Sequence, residues 1–455
     1  MVLNQADTLK FTPREIMIKP LLIQGGHILD PSQGIDEIGS LLISEGKISW
    51  LGKGEIPISE LDYDVLPARG LIVCPGFIDL HCHLRQPDFG DKETIATGTR
   101  AAARGGFTTV CCMPNTNPPL DNWATIEFVQ SKADTEGVVR VLIIGCISKG
   151  RMGVELAPMS RLVSAGVIGF SDDGNPVLNT KLMNRALAFS RASGLPVIDH
   201  CEDTDVTKGG VMNEGVVSAK LRLPGMPAAA EETMVRRDLS LAQLTGGWLH
   251  IAHVSTEGSV ELIRRAKENG VRVTAEVTPH HLTLTEEKVI GYDTNAKVNP
   301  PLRTEKDIRA LLKGLKEGVI DIIATDHAPH TEADKSCDFT VAAFGISGFE
   351  TALGSLMKLV HDGELTLTTL ISKLTCEPAK IIGDRYGKLG TLAIGAPADV
   401  TLFDPDKDWV VDTSNFASKG KNTPLAGSTL KGKIMATISR GNLVYKDDSV
   451  KLEEK

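Results

Sequence analysis

Between about Cys74 and Gly387 short apolar runs alternate with longer segments whose apolar positions recur at helical spacing, the pattern of repeated β-α units. Eight runs read as strands: 77–81, 108–113, 139–145, 167–171, 196–200, 248–253, 271–277 and 320–325. Helices are predicted between them, among them 180–193, 233–244, 259–269 and 305–316, each stopping near Gly or Asn as helices often do. Eight such repeats predict a (β/α)8 barrel, a TIM-type α/β fold.

The flanks have a different texture. From Leu21 to Val73 short β-like runs are separated by turns, with Gly25-Gly26 and Glu45-Gly46 read as turn residues, and helical periodicity is absent. The same texture returns at 398–403, 434–438 and 440–445. The two terminal pieces are expected to form one composite β-sandwich domain, 1–74 with 388–455, around a barrel spanning 75–387.

A chain of 455 residues can house a large barrel with a smaller domain. Its formal net charge of −9 argues against a general nucleic-acid binder, which needs basic surface to neutralise phosphates. Polar and charged residues run through 1–20 without a signal-like apolar core, and no run approaches the ~20 apolar residues of a membrane span. Eight scattered cysteines (74, 82, 111, 112, 146, 201, 337 and 376) contain no Cys-x-x-Cys pair, so neither a thiolate zinc site nor a disulfide framework is indicated. A soluble, reduced, cytoplasmic protein is expected.

Chemistry in a barrel gathers at the carboxyl ends of its strands. The predicted strand ends carry His81 and His83, then Asp172-Asp173, His200, His253 and finally Asp326-His327. His81 and His83 stand two apart and share one face of a strand, where two imidazoles converge on one ion. Each of these residues has an ordinary structural reading alone, but five strand ends bearing metal-donor groups read together as a metal site. Arg85, two further on, faces the same mouth if the strand continues, and a guanidinium there suits a carboxylate through paired hydrogen bonds.

The strings His81-Cys-His-Leu-Arg85-Gln-Pro87, Met113-Pro-Asn115-Thr-Asn117-Pro, Phe170-Ser-Asp-Asp-Gly174, Asp199-His-Cys-Glu202, Ile251-Ala-His-Val-Ser255, Val298-Asn-Pro-Pro301 and Thr325-Asp-His-Ala-Pro-His330 resemble, in this order and spacing, the class I dihydroorotases. These form part of the cyclic-amide hydrolase branch of the amidohydrolase superfamily, and the resemblance covers nearly the whole chain. It implies one or two Zn2+ ions, with His81, His83 and Asp326 on one, His200 and His253 on the other, and Asp173 bridging. Relatives often bridge with a carboxylated lysine; this chain has none there, so an acidic bridge without CO2 dependence is expected.

The resemblance further implies reversible ring opening of dihydroorotate to N-carbamoyl-L-aspartate in pyrimidine biosynthesis, with Asp326 as general base and acid. A bound divalent metal would supply the nucleophile by lowering the pKa of water to about 7. Arg85, Asn115 and His330 would take the substrate carboxylate, with Asn299 nearby and Phe344 and Gly345 as backbone contacts to the ring. His327, His280 and His281 are expected to be structural, and Asp88 stands where the family usually has glycine. The competing readings are a hydantoinase- or allantoinase-like cyclic amidase, and a non-catalytic partner of aspartate transcarbamoylase. Such relatives have lost part of the histidine set, which is complete here. A homodimer and a complex with aspartate transcarbamoylase are the assemblies the resemblance implies, and 332–340 is a candidate lid.

Overall fold

Alternating one-faced strands at both ends of the chain leave apolar faces that only each other can cover. In the computed structural model, which describes residues 19–54 and 62–454, they share a single sheet. Most of the polar N-terminal stretch 1–20 lies outside the described residues. The N-terminal strands are β1 (Leu21–Asp30), β2 (Ile35–Ser44), β3 (Lys47–Gly52), β4 (Asp64–Pro67) and β5 (Ile72–Pro75). Gly25-Gly26 does not end β1 as a turn. It forms an irregularity in the β1–β2 register, with Gly25 at φ +72° and Gly26 so close to β5 that a Cβ would lie 2.4 Å from Val73 Cγ2.

Eight parallel strands follow: β6 (Phe77–Cys82), β7 (Phe107–Cys112), β8 (Arg140–Gly145), β9 (Gly169–Ser171), β10 (Val197–Asp199) and, after a short loop pairing of β11 (Met212–Asn213) with β12 (Gly225–Met226), β13 (Leu249–Ile251), β14 (Val273–Val277) and β15 (Ile322–Ile323). They lie in chain order from β6 to β15. The seam between first and last is bridged by His83 N–H donating to His327 O (2.9 Å) and by Asp79, which accepts from the Thr325 N–H and hydroxyl at 2.7 Å each. The expected (β/α)8 barrel is therefore the fold.

Two apolar clusters explain its layers. Ile78, Leu80, Leu142, Ile144, Ile168, Ile198 and Ile322 fill the interior, together with Ile381 and Ile382 from beyond the last strand. A larger cluster, with Val110, Ile143, Phe170 and Leu249 on strands and Leu187, Val235, Ile263 and Leu311 on helices, joins strands to the outer helical ring. Helices Thr180–Ser193 and Glu305–Lys316 have the expected ends; the first is capped by the Asn179 side chain and closed by Gly194 at φ +75°.

Strands β16 (Val400–Val410), β17 (Thr429–Ser439) and β18 (Asn442–Lys446), with β19 (Glu453–Glu454), return to the first sheet. Its order is β18-β17-β16-β5-β1-β2-β3, with β4 on β1 and β19 on β4. Strand β5 thus pairs with β1 on one side and β16 on the other before the chain enters the barrel at β6.

Candidate active site

The strand-end residues converge. A register shift between Asp79 and Cys82 re-aims the end of β6, and both His81 and His83 direct Nε2 at Asp326 Oδ1, at 3.5 and 2.8 Å. Asp173 sits among four imidazoles: its Oδ1 is 3.4 Å from His81 Nε2, 3.6 Å from His253 Nε2 and 3.8 Å from His200 Nδ1, and its Oδ2 is 3.6 Å from His83 Nε2. His200 Nδ1 and His253 Nε2 are 2.9 Å apart. Asp172 turns away and accepts from the Ile147 and Ser148 N–H groups and the Ser148 hydroxyl. The choice between the two neighbouring aspartates is thus made by loop anchoring, which leaves Asp173 in the centre.

The donor atoms form two overlapping sets able to hold a metal ion, His81–His83–Asp326 and His81–Asp173–His253, all buried. Two atoms within them, His81 Nε2 and Asp173 Oδ1, are buried without any hydrogen-bond partner. Orphaned polar atoms are rare in native interiors, and a nitrogen lone pair facing a carboxylate oxygen is the donor arrangement a cation satisfies. Asp199, Cys201 and Asp238 cluster elsewhere, against the Arg237 guanidinium.

Several site residues occupy the left-handed backbone region that costs a non-glycine residue energy: Arg85 (φ +63°), His253 (+31°) and Asp326 (+46°). Arg85 does not extend the strand, which ends at Cys82. The left-handed turn instead brings its guanidinium over the mouth, with Nε donating to Pro329 O (3.2 Å) and Nη2 3.3 Å from His330 Nε2. Asp88 is also left-handed, at φ +76°, the conformation that makes glycine common there. Its carboxylate points outward to Asn117 Nδ2, at 2.6 Å.

Arg85, Asn115, Asn299, His330, Phe344 and Gly345 all line one cavity of about 300 Å³ with His83, Asp173, His200, His253 and Asp326. Asn115 Oδ1 lies 2.8 Å from His83 Nδ1, and Asn299 donates to Glu202 (2.8 Å), which also meets His200 Nε2 (2.8 Å). His330 Nε2 donates to Phe344 O (2.8 Å). Burial, reinforced by Arg85 and Lys92, lowers the His330 pKa to about 3, so its imidazole is neutral. Gly345 has φ +142°, and a Cβ would come within 2.7 Å of Ala328 O. A larger cavity of about 550 Å³ lies between Arg104, Glu350, Trp409 and Tyr445, away from these donor atoms.

Sequence reasoning missed the groups that orient this set. Glu276, fully buried on β14, meets His81 Nδ1 at 2.5 Å and His250 Nε2 at 3.2 Å and accepts the His253 N–H. Burial alone would raise its pKa, but His81 and His250 hold its carboxyl well below the usual range. The contact leaves His81 Nε2 free for the centre, the carboxylate–histidine arrangement found around metals. His250 Nδ1 then meets Thr274 Oγ1 (2.8 Å), which also accepts from Trp248 Nε1 (3.1 Å). Glu93 is a second missed carboxylate: His327 accepts the Gly348 N–H at Nδ1 and directs Nε2 to Glu93 at 3.4 Å. His281 is tied to Thr278 and Pro300 O, a structural role.

Fold and site together define a (β/α)8 barrel with a buried His/Asp donor cluster at the carboxyl ends of its strands. Among solved structures, the L-hydantoinase (dihydropyrimidinase) of Arthrobacter aurescens is similar at a TM-score of 0.84, with 24% identity over 96% of this chain and 98% of its own. The dihydropyrimidinase of Brevibacillus agri gives 0.81, with 23% identity over 94% and 95%. At that identity the likeness is one of fold. Residues 70–259 match the family described as Dihydro-orotase-like. A dihydroorotase of Pelotomaculum thermopropionicum is 52% identical over 428 residues, covering 94% of this chain and 99% of the relative. One of Thermoanaerobacter sp. is 50% identical over 429 residues, covering 94% and 98%. The chain belongs to the dihydroorotase family.

Proposed function

We propose that the protein is a zinc-dependent dihydroorotase that interconverts (S)-dihydroorotate and N-carbamoyl-L-aspartate, with His81, His83 and Asp326 holding one ion, His200 and His253 a second, and Asp173 between them. The observation that carries the substrate assignment is Arg85: a partly buried guanidinium at the cavity mouth that forms no ion pair with a carboxylate among the described residues. A partly buried guanidinium held only by a carbonyl oxygen and an imidazole keeps donors in hand, and a substrate carboxylate is their natural complement. Neutral His330 and the Asn115 amide supply further polar groups around it.

A divalent metal, when bound, acidifies water and polarises a carbonyl oxygen. The chain's own work is positional. Asp326, next to His83, accepts a proton from the attacking water and returns it to the ring nitrogen as the C–N bond breaks. Arg85 fixes the carboxylate so that the scissile carbonyl faces the donor cluster, and Phe344 and Gly345 bound the ring side of the cavity. The working units are 1–74 with 388–455 as support and 75–387 as the catalytic barrel. Eight free cysteines, all buried except Cys337, suit a reducing compartment such as the cytoplasm.

The test is to assay zinc-loaded protein in both directions, with hydantoin and allantoin in parallel. Dihydroorotate turnover is expected; turnover of hydantoin or allantoin alone would overturn the assignment. In the same assay Arg85→Met should raise KM for dihydroorotate at least about tenfold with a smaller change in kcat, because it removes ground-state binding.

A further inference from the structure

Residues 416–423 lie in the connection between β16 and β17 of the composite sheet, yet they are fastened to loops at the mouth of the barrel. Glu350 accepts the N–H groups of Ala417 (2.9 Å) and Ser418 (3.3 Å). Fully buried Glu93 accepts the Ser418 hydroxyl and the Lys419 N–H. Gly420 lies so close to the barrel loops that a Cβ would stand 2.5 Å from Pro329 Cβ and 2.7 Å from Ser347 Oγ.

Asn422, 3% exposed, completes the fastening. Its Nδ2 donates to Ala328 O (3.1 Å) and Gly345 O (3.0 Å), and its Oδ1 accepts from the His330 N–H (2.9 Å) and the Ser347 hydroxyl (2.9 Å). A primary amide has two donors and one oxygen with two lone pairs, so its whole capacity is used. All four bonds go to two segments, 328–330 and 345–347, which carry His330 and Gly345 into the cavity. Metal-donor atoms receive none of these bonds.

We propose that Asn422 is a positioning residue for substrate specificity: it sets the spacing of the 328–330 and 345–347 segments and so the geometry with which Arg85, beside His330, receives a carboxylate. The proposal rests on the reading of Arg85 and His330 as the carboxylate side of the site. A buried amide bonded to four partners on two loops resists their separation, because each loosened bond leaves a buried polar group unpaired. Because none of the four bonds reaches a donor atom, misplacement of these segments acts first on substrate binding.

Zinc-loaded full-length wild type, Asn422→Ala, Asn422→Asp and Gly420→Ala are compared for kcat, KM, metal content and Tm. 5,6-Dihydrouracil, the same ring without the carboxylate, is measured as a competing ligand. Asn422→Ala should raise KM for dihydroorotate about 10- to 100-fold, the cost of a misplaced binding group. Its kcat, metal content and dihydrouracil inhibition constant should stay within about threefold. Asn422→Asp, which keeps the acceptor but turns a carboxylate on two carbonyl oxygens, should be no milder. Should Asn422→Ala not accumulate folded, Gly420→Ala displaces the same strap with Asn422 intact and is expected to shift KM in the same direction. Equal weakening of dihydroorotate and dihydrouracil, a fall in kcat at constant KM, or a lowered Tm with unchanged KM would overturn the proposal. Absence of dihydroorotate turnover by the wild type would overturn the functional reading and this proposal with it.

Discussion

At the scale of single residues, the centre holds two donor atoms, His81 Nε2 and Asp173 Oδ1, that find no partner in the protein, set among residues that are partnered. Glu276 is the sharpest case, since one carboxylate fixes His81 and braces His253 through its backbone. Glu276→Gln should lower zinc affinity about 10- to 100-fold, read by competition with a chelator. Asp326→Asn removes the proposed proton acceptor but keeps the shape; kcat should fall about 10²- to 10⁴-fold while Tm stays close to that of the wild type. The proposed donor set was legible in the sequence because two signals coincide at each position: a residue type that binds metal and a place at a strand end. Glu276 and His250 carry only the first signal, and a strand-interior glutamate reads as a solvated residue until the barrel closes around it. Asn422 carried neither. Arg85 was placed at the mouth for the wrong geometrical reason, because a left-handed turn does what strand continuation was expected to do.

At the scale of elements, the strap 416–423 links titration to stability. Burial raises the Glu350 pKa to about 7, against the pull of the Ala417 and Ser418 N–H groups, Arg104 and Lys421. A carboxyl whose pKa is raised in the folded state binds its proton more tightly there, so its contribution is complete below about pH 4.5 and is lost as pH rises through about 7. Glu350→Gln should therefore gain in Tm relative to wild type as pH rises across that window, and scans from pH 5 to 8 would show a flat difference if Glu350 titrates normally. Helix and strand identities were readable because most barrel strands are short apolar runs set between longer segments of helical period. Gly25-Gly26 misled because glycine marks both turns and bulges; the distinction depends on Val73, nearly fifty residues away, crossing β1 at close range. Boundaries such as 228–245, where 233–244 was expected, shifted because the first turn of the helix, Ala228-Ala229-Ala230, carries no amphipathic signal.

At the scale of the whole molecule, two chain ends build one sheet and that sheet sends a loop back to the barrel. The expectation of a composite terminal β-structure came from texture repeated at both ends. Which strands pair was not readable, since β5 accepts β1 in parallel and β16 in antiparallel register and apolar alternation permits either. Among the described residues no helix is long and apolar enough to cross a membrane. The strap has a further consequence for how the molecule comes into being on the ribosome. Every proposed metal donor has been translated once the chain reaches Asp326, but Asn422 follows 96 positions later, and β5 must hold one edge open for β16 until then. A nascent chain thus carries every proposed metal donor before it carries the amide that would space the carboxylate side of the cavity.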